Sequence, residues 1–317
     1  MARNETKRPE RPGDCLPDLM RRAVRVLDQL EHWLPKPPPA VDWSAPAYRW
    51  RKANGRGYLH SVMRPHGIRP QDLIGVDRQR ELVEQNTRQF VTGRSANNVL
   101  LTGARGTGKS SLVKAMLVEF GHRGLRLIEV DKSDLIDLPD IIDCVSSRRE
   151  RYIVFCDDLS FDADESGYKT LKVALDGSIE APSENLLIYA TSNRRHLMPE
   201  YMQENLETRH LGEEIHPGEA VEEKVSLSER FGLWVSFYPF DQDEYLEIAS
   251  HWLGEFGCKQ RDVGAARQEA IQWALQRGSR SGRVAWQFAR DWAGRQGAAT
   301  RKPEPAGKTR SRRSRGQ

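Results

Sequence analysis

The chain has 317 residues, 38% of them hydrophobic, and its 25 glycines add to an apolar share typical of a globular protein. No run approaches about 18 consecutive apolar residues and the first residues carry no apolar secretory core, which argues against a helical membrane protein and predicts a cytoplasmic location. The net charge of +4 is concentrated in residues 301–317, where seven Lys/Arg face the single acid Glu304; the rest of the chain carries −2 and offers no general basic surface for nucleic acid. Four cysteines (Cys15, Cys144, Cys156, Cys258) are scattered without a C-x-x-C pair, the pattern of free thiols rather than disulfides or a zinc site.

Residues 1–16 are polar and are predicted to be disordered. From Pro17 an amphipathic run places Leu19, Ala23, Val26, Leu27, Leu30 and Leu34 on one helical face, and the proline-rich stretch from Pro35 to Pro39 stops it. Such a helix can dock on the body of the protein or on a neighbouring subunit. Trp43, Tyr48, Trp50 and Tyr58 then alternate with Arg49, Arg51 and Arg56. Aromatics interleaved with arginines serve either to anchor an arm across a domain or to stack single-stranded nucleic acid. Residues 17–69 together are expected to form an N-terminal helical arm.

The core is predicted to span residues 70–239. A helix from Arg78 to Phe90 precedes a buried strand, Asn98–Thr102, and this strand runs into Gly103-Ala104-Arg105-Gly106-Thr107-Gly108-Lys109-Ser110. The following residues, from Ser111 to Phe120, repeat their apolar positions at helical spacing. Strand, glycine loop and helix in this order match G-x-x-x-x-G-K-[ST], whose backbone N–H groups curl around a phosphate chain. In that chemistry Lys109 reaches the β and γ phosphates and the Ser110 hydroxyl ligates magnesium.

Further strands are predicted at Leu125–Val130, Arg151–Asp158, Asn185–Asn193 and Trp234–Phe237, with helices at 138–149 and 166–177 between them. Continuous apolar strands alternating with helices indicate a parallel sheet covered on both faces. The acidic stretch 212–220 reads as an exposed loop. After Pro239 the strand pattern stops, and three helical stretches, 241–256, 262–276 and 281–292, form a small helical lid over residues 240–294. Residues 295–317 are expected to be a disordered basic tail.

Asp157 and Asp158 end the third core strand at the sheet edge that also carries the phosphate loop. Asp157 suits a magnesium anchor; Asp158 is placed to orient or deprotonate an attacking water. Asn193, at the end of the next strand, can orient the same water.

These residues resemble the AAA+ ATPase superfamily over roughly residues 70–292. Gly103–Ser110 is similar to its Walker A loop, with Ser111 beside it, and Val154–Asp158 to its Walker B strand. The resemblance implies a five-stranded αβα sandwich with a C-terminal helical lid, binding ATP and Mg2+. It makes Asn193 the first sensor, Arg230 in Ser228–Leu233 an arginine finger reaching a neighbouring subunit, and Ile74-Gly75 part of the adenine pocket. Arg283 resembles the second sensor, with Arg280 as its rival. Cys156–Phe161, Ala190–Leu197 and Ser228–Leu233 more narrowly resemble an uncharacterised bacterial AAA+ family, domain of unknown function 815. The implied activity is ATP hydrolysis in a homo-oligomer that remodels or loads a protein client. One departure stands out: the superfamily usually ends Walker B in Asp-Glu, and here Asp158 is one methylene shorter. A nucleotide-gated binding module with slow hydrolysis is therefore the alternative. A DNA-associated loader is a further one, motivated by the basic tail and Trp43–Arg56.

Overall fold

A computed structural model describes residues 20–27, 29, 39–160, 166–176, 184–193, 210–211, 214–215 and 227–297. The polar stretch 1–16 and the tail from residue 298 lie outside the described residues. Two compact units are distinguished: residues 1–40 with 52–58, and residues 41–51 with 59–317. In the first, residues 20–27 form a helix, α1, on which Met20, Val24, Val26 and Leu27 are exposed. The unit also includes the tip of a hairpin between β1 (Ala47–Ala53) and β2 (Arg56–Val62).

That hairpin corrects the helical-arm expectation for residues 47–62. Tyr48 and Trp50 are buried whereas Arg49 and Arg51 are exposed, the two-residue alternation of a strand. Asn54 and Gly55 both adopt positive φ, 53° and 74°, as a tight hairpin turn of the primed type requires. Alternating aromatics and arginines followed by Asn-Gly are a hairpin signal.

The second unit is built on a seven-stranded sheet in the order β2-β1-β4-β5-β6-β3-β9, two strands more than the five expected. The five strands expected are β3 (Val99–Gly103), β4 (Leu125–Glu129), β5 (Arg151–Cys156), β6 (Leu186–Ser192) and, at the edge, β9 (Leu233–Phe237). Each neighbouring pair among them is parallel, and β1 adds in parallel to β4. The extra strands are therefore the hairpin itself, extending the sheet beyond β4.

Helices cover both faces, which is why β3, β5 and β6 are buried along nearly their whole length. Leu101, Ile153, Phe155 and Tyr189 pack into one core with α2 (Asp77–Val91) and α3 (Lys109–Phe120). Leu100, Val154, Ile188 and Ala190 face the opposite way, onto α4 (Leu138–Ser146) and α5 (Ser166–Asp176). Tyr48, Trp50 and Leu59 of the hairpin belong to this second core.

β7 (His210–Leu211) pairs antiparallel with β8 (Glu214–Ile215), which falls inside the stretch 212–220 read as an exposed loop; the other residues of that stretch lie outside the described ones. The lid comprises α6 (Gln242–Glu255), α7 (Gln260–Arg277) and α8 (Gly282–Arg295). Asp241 caps α6 by accepting from the Glu244 N–H (2.8 Å), and Glu244 returns the contact in a capping box. Tyr245, Phe288 and Trp292 bind the three helices into the same core as α2 and α3. Helix α8 reaches Arg295, three residues beyond the predicted end, because Arg295 pairs with Asp291 on its own helix and Glu269 on α7. The architecture is thus an α/β phosphate-loop sandwich with a helical lid. Among the described residues no helix is long and apolar enough to cross a membrane.

Candidate nucleotide site

The site is assembled where β3, β5 and β6 end side by side. Gly103 closes β3 at φ 128°, and a Cβ there would lie 1.9 Å from the Phe237 carbonyl oxygen, so only glycine lets β3 and β9 approach this closely. The loop then turns into α3, whose first residues are Lys109, Ser110 and half-buried Ser111. No side-chain hydrogen bond caps this helix start, and the first N–H groups of a helix, which have no partner within it, suit anions. Thr107 fixes the loop internally through a hydrogen bond to the Ala104 carbonyl (2.8 Å).

Lys109 is only 6% exposed. Its ammonium donates to the carbonyls of Gly103 (2.6 Å) and Ala104 (2.7 Å) and to Asn193 Oδ1 (3.0 Å). Burial holds its pKa below the ordinary lysine value; Asp157 and Asp158 oppose that shift, while Arg105 and Arg283 add to it. A desolvated cation bordered by two carboxylates and two guanidiniums is a strong, localised charge.

The acids are arranged by hydroxyls. Ser110 donates to Asp157 Oδ1 (2.5 Å), and Thr191 donates to the same oxygen (2.6 Å). Thr191, 1% exposed, also accepts the backbone N–H of Asp158 (2.9 Å). Asp158 has φ 55°, the left-handed region that Asp and Asn tolerate better than longer side chains. Its carboxylate receives the Asn193 amide and lies 3.8 Å from the Arg105 guanidinium. Asn193 therefore bridges Lys109 and Asp158, with its oxygen on one and its amide on the other.

The lid touches this loop directly. The Gly282 N–H donates to the Gly106 carbonyl (2.9 Å), and a Cβ on Gly106 would lie 2.8 Å from Ser281. Arg283 follows, with its Cβ 3.5 Å from the same point, whereas Arg280 reaches out to Gln242 (3.5 Å). Left-handed Gly75, preceded by half-buried Ile74, borders Phe240, whose ring also approaches Gly282. Beside them, Asp72 accepts from Arg69 (2.7 Å) and meets His251 of α6 (3.3 Å), tying the core entrance to the lid.

Lys109, Ser110, Asp157, Asp158 and Asn193 are thus gathered into one network, and Arg283 lies at its lid side. Arg230 is not part of it: its Nε donates to Asp176 at the end of α5 (2.6 Å). Arg194 and Arg195, the two cations that follow Asn193 in the sequence, lie outside the described residues. Sequence reasoning missed Thr191, Phe240 and Asp176. Thr191 alone left a signal, a hydroxyl two positions before Asn193 on an otherwise apolar strand.

Among the described residues no group of three or more His, Cys, Asp and Glu could hold a metal by itself. The donor set present, one hydroxyl and one carboxylate, fits Mg2+ instead, which takes few protein oxygens and completes its shell with phosphate and water.

Residues 43–296 match the family described as "Protein of unknown function (DUF815)". No curated protein matches the sequence. Among solved structures, a mutant of RuvB from Thermotoga maritima is similar at 15% identity and TM-score 0.47 over 70% of this chain; the chain spans 63% of that protein's length. The E. coli MS115-1 HORMA:CdnC:Trip13 complex matches at 12% identity and TM-score 0.42, over 70% of this chain and 91% of that one. The T. maritima structure titled RuvB Holliday junction branch migration motor matches at 14% identity and TM-score 0.38, over 73% and 72%.

Proposed function

The chain belongs to the DUF815 family, and from that premise we propose that it is an AAA+-type ATPase of the cytoplasm, hydrolysing ATP at a site shared between subunits to remodel or load a protein client. The observation that carries this reading is the continuous network Ser110–Asp157–Thr191–Asp158–Asn193–Lys109 beside the glycine loop.

Each member has a defined task. The loop N–H groups and the start of α3 hold the phosphate chain. Lys109 exchanges its carbonyl partners for phosphate oxygens, a swap of dipoles for full negative charge. Ser110 and Asp157 would hold Mg2+, which would supply positive charge against the phosphate chain. Asp158 accepts the proton of the attacking water, and Asn193 orients that water between Asp158 and the phosphate. Arg283 contributes positive charge from the lid, so closing the lid over Gly106 completes the pocket. Ile74, Gly75 and Phe240 border the adenine side. Arg230, directed away from its own site, supplies the last positive charge to the next subunit.

The test is phosphate release measured against protein concentration. Turnover per chain rises as subunits meet and their sites complete; ATP bound without turnover at any concentration would leave a nucleotide-gated binding module instead. Nucleic-acid contact by the tail rests on residues outside the described ones.

Thr191 gives a second expected result. It links the magnesium carboxylate to the Asp158 backbone, and outer-shell hydrogen bonds of this kind are typically worth about 10- to 100-fold in metal affinity. Thr191→Val raises the Mg2+ concentration for half-maximal turnover at least about tenfold, and Thr191→Ser restores it. A Mg2+ titration of phosphate release in which both variants match the parent would remove Thr191 from the site.

A further inference from the structure

The charge of −2 on the chain outside its basic tail hides a local excess of the opposite sign. Residues 43–71 contain Arg49, Arg51, Lys52, Arg56, Arg64 and Arg69, together with His60 and His66, and not one Asp or Glu. This segment contributes +6, as much as the tail, and leaves −8 on the rest of the chain. Its centre is the β1–β2 hairpin, whose sequence left two uses open for its aromatics, packing or the stacking of nucleic-acid bases.

The structure separates the two. Tyr48 and Trp50 lie in the same buried core as Leu59, and the Trp50 indole N–H donates to Asp137 (2.9 Å). Trp43 packs against that core, and its ring is covered by the Arg148 guanidinium at 4.0 Å. These three rings are therefore committed within the protein, and a single strand would find no stacking platform on them. Strand alternation turns Arg49 and Arg51 to the other face, where both are exposed.

The cations divide into committed and uncommitted ones. Arg49 is held by Glu129 of β4, and Arg69 by Asp72 and Glu255. Arg51 and Arg64 are exposed, and among the described residues neither has an acidic partner. β1 pairs with β4 at Ala47–Arg49, so Arg51 lies past that register, where the hairpin continues as a two-stranded ribbon. Arg64 follows the end of β2, the edge strand of the sheet. The buried rings of one face hold the backbone that carries the arginines of the other. A ribbon of two strands about 4.8 Å apart is narrow enough for the major groove of duplex DNA, roughly 12 Å wide.

We propose that this hairpin is a docking site for duplex DNA, with the guanidiniums of Arg51 and Arg64 on backbone phosphates. Binding of this kind fixes position on the duplex and carries no sequence preference of its own. It is independent of ATP turnover and stands apart from the site at Gly103–Ser110.

The test is fluorescence anisotropy of a labelled mixed-sequence duplex of about 30 base pairs, roughly three helical turns, titrated with the full chain over a series of salt concentrations. Arg51→Gln with Arg64→Gln is expected to weaken binding about tenfold or more near 0.1 M salt. The fall of log K with log salt becomes shallower by about two, since each neutralised phosphate contributes roughly 0.9 to that slope. Arg51→Lys with Arg64→Lys keeps the charges and most of the affinity. Circular dichroism and binding of a fluorescent ATP analogue establish that each variant is folded. A glutamine variant that binds the duplex like the parent, with the same salt slope, would overturn the site, as would a parent chain that binds no duplex. Loss confined to the unpaired strand, or to vesicles rich in phosphatidylserine, would assign the arginines to single strands or to an anionic membrane surface and overturn it equally. A further full-length variant replaces Arg310, Arg312, Arg313 and Arg315 with Gln. If duplex binding vanishes there and survives in the Arg51 and Arg64 variant, it belongs to the tail and the hairpin proposal fails.

Discussion

Asp158→Asn is expected to lower ATP turnover about 10²- to 10⁴-fold while leaving nucleotide affinity within about threefold of the parent. The substitution is well matched to the site. Asp158 has φ 55°, and asparagine is among the few side chains that accept this left-handed backbone. The contact from the Asp158 N–H to Thr191 survives, and an oxygen remains for the Asn193 amide. What disappears is the negative charge that the proposed base needs to accept a proton. Single-turnover phosphate release and binding of a fluorescent ATP analogue separate the two effects, and turnover within tenfold of the parent would exclude Asp158 as the base.

The same backbone resolves the departure from Asp-Glu noted in the sequence. A shorter acid need not leave a gap if its Cα is displaced, and the left-handed turn re-aims the Asp158 carboxylate toward Asn193. Glutamate at this position would pay roughly 1–2 kcal/mol for the left-handed conformation and carry its carboxylate past the Asn193 amide. Asp158→Glu is accordingly expected to slow turnover rather than restore a missing methylene, with a loss of stability of that size in chemical denaturation.

Why some parts of this arrangement were legible in the sequence and others were not follows from the range of the forces involved. Gly103–Ser110 is local: chain geometry, phosphate binding and helix initiation all act within eight consecutive residues, so the pattern carries its own structure. The buried strands were legible for a similar reason, since burial on both faces leaves runs such as Val99–Leu101 no polar alternative. The hairpin at Ala47–Val62 was misread because alternating arginines and aromatics satisfy two patterns equally. Only its attachment to β4 decides which side is buried. Thr191 and Asp176 escaped because their roles depend on partners 34 and 54 positions away, Asp157 and Arg230 respectively. Asn193 and Asp158 were read as neighbours of one water, and their direct contact through the Asn193 amide emerged only from the strand order β5-β6-β3.

Arg230→Ala is expected to reduce turnover by about 10³-fold or more, the range in which a trans arginine acts on a departing phosphoryl group. Its position explains the size and the dependence on a neighbour. Arg230 belongs to the end of the sheet where strands start, paired with Asp176, whereas Lys109 and Asp158 belong to the end where strands finish. In the proposed function a guanidinium anchored there would serve another chain's phosphate rather than its own. The loss must therefore be repairable by a chain that retains Arg230 but has no active site of its own. Lys109→Ala is such a chain, because it lacks the cation of its phosphate loop yet keeps the donor surface. Mixing Arg230→Ala with Lys109→Ala is expected to recover a substantial fraction of turnover, as intact loops of the first meet intact arginines of the second. Each variant alone stays inactive. If the mixture is no more active than the sum of its parts while both variants still assemble, Arg230 does not act across the interface, and its pair with Asp176 is a structural contact.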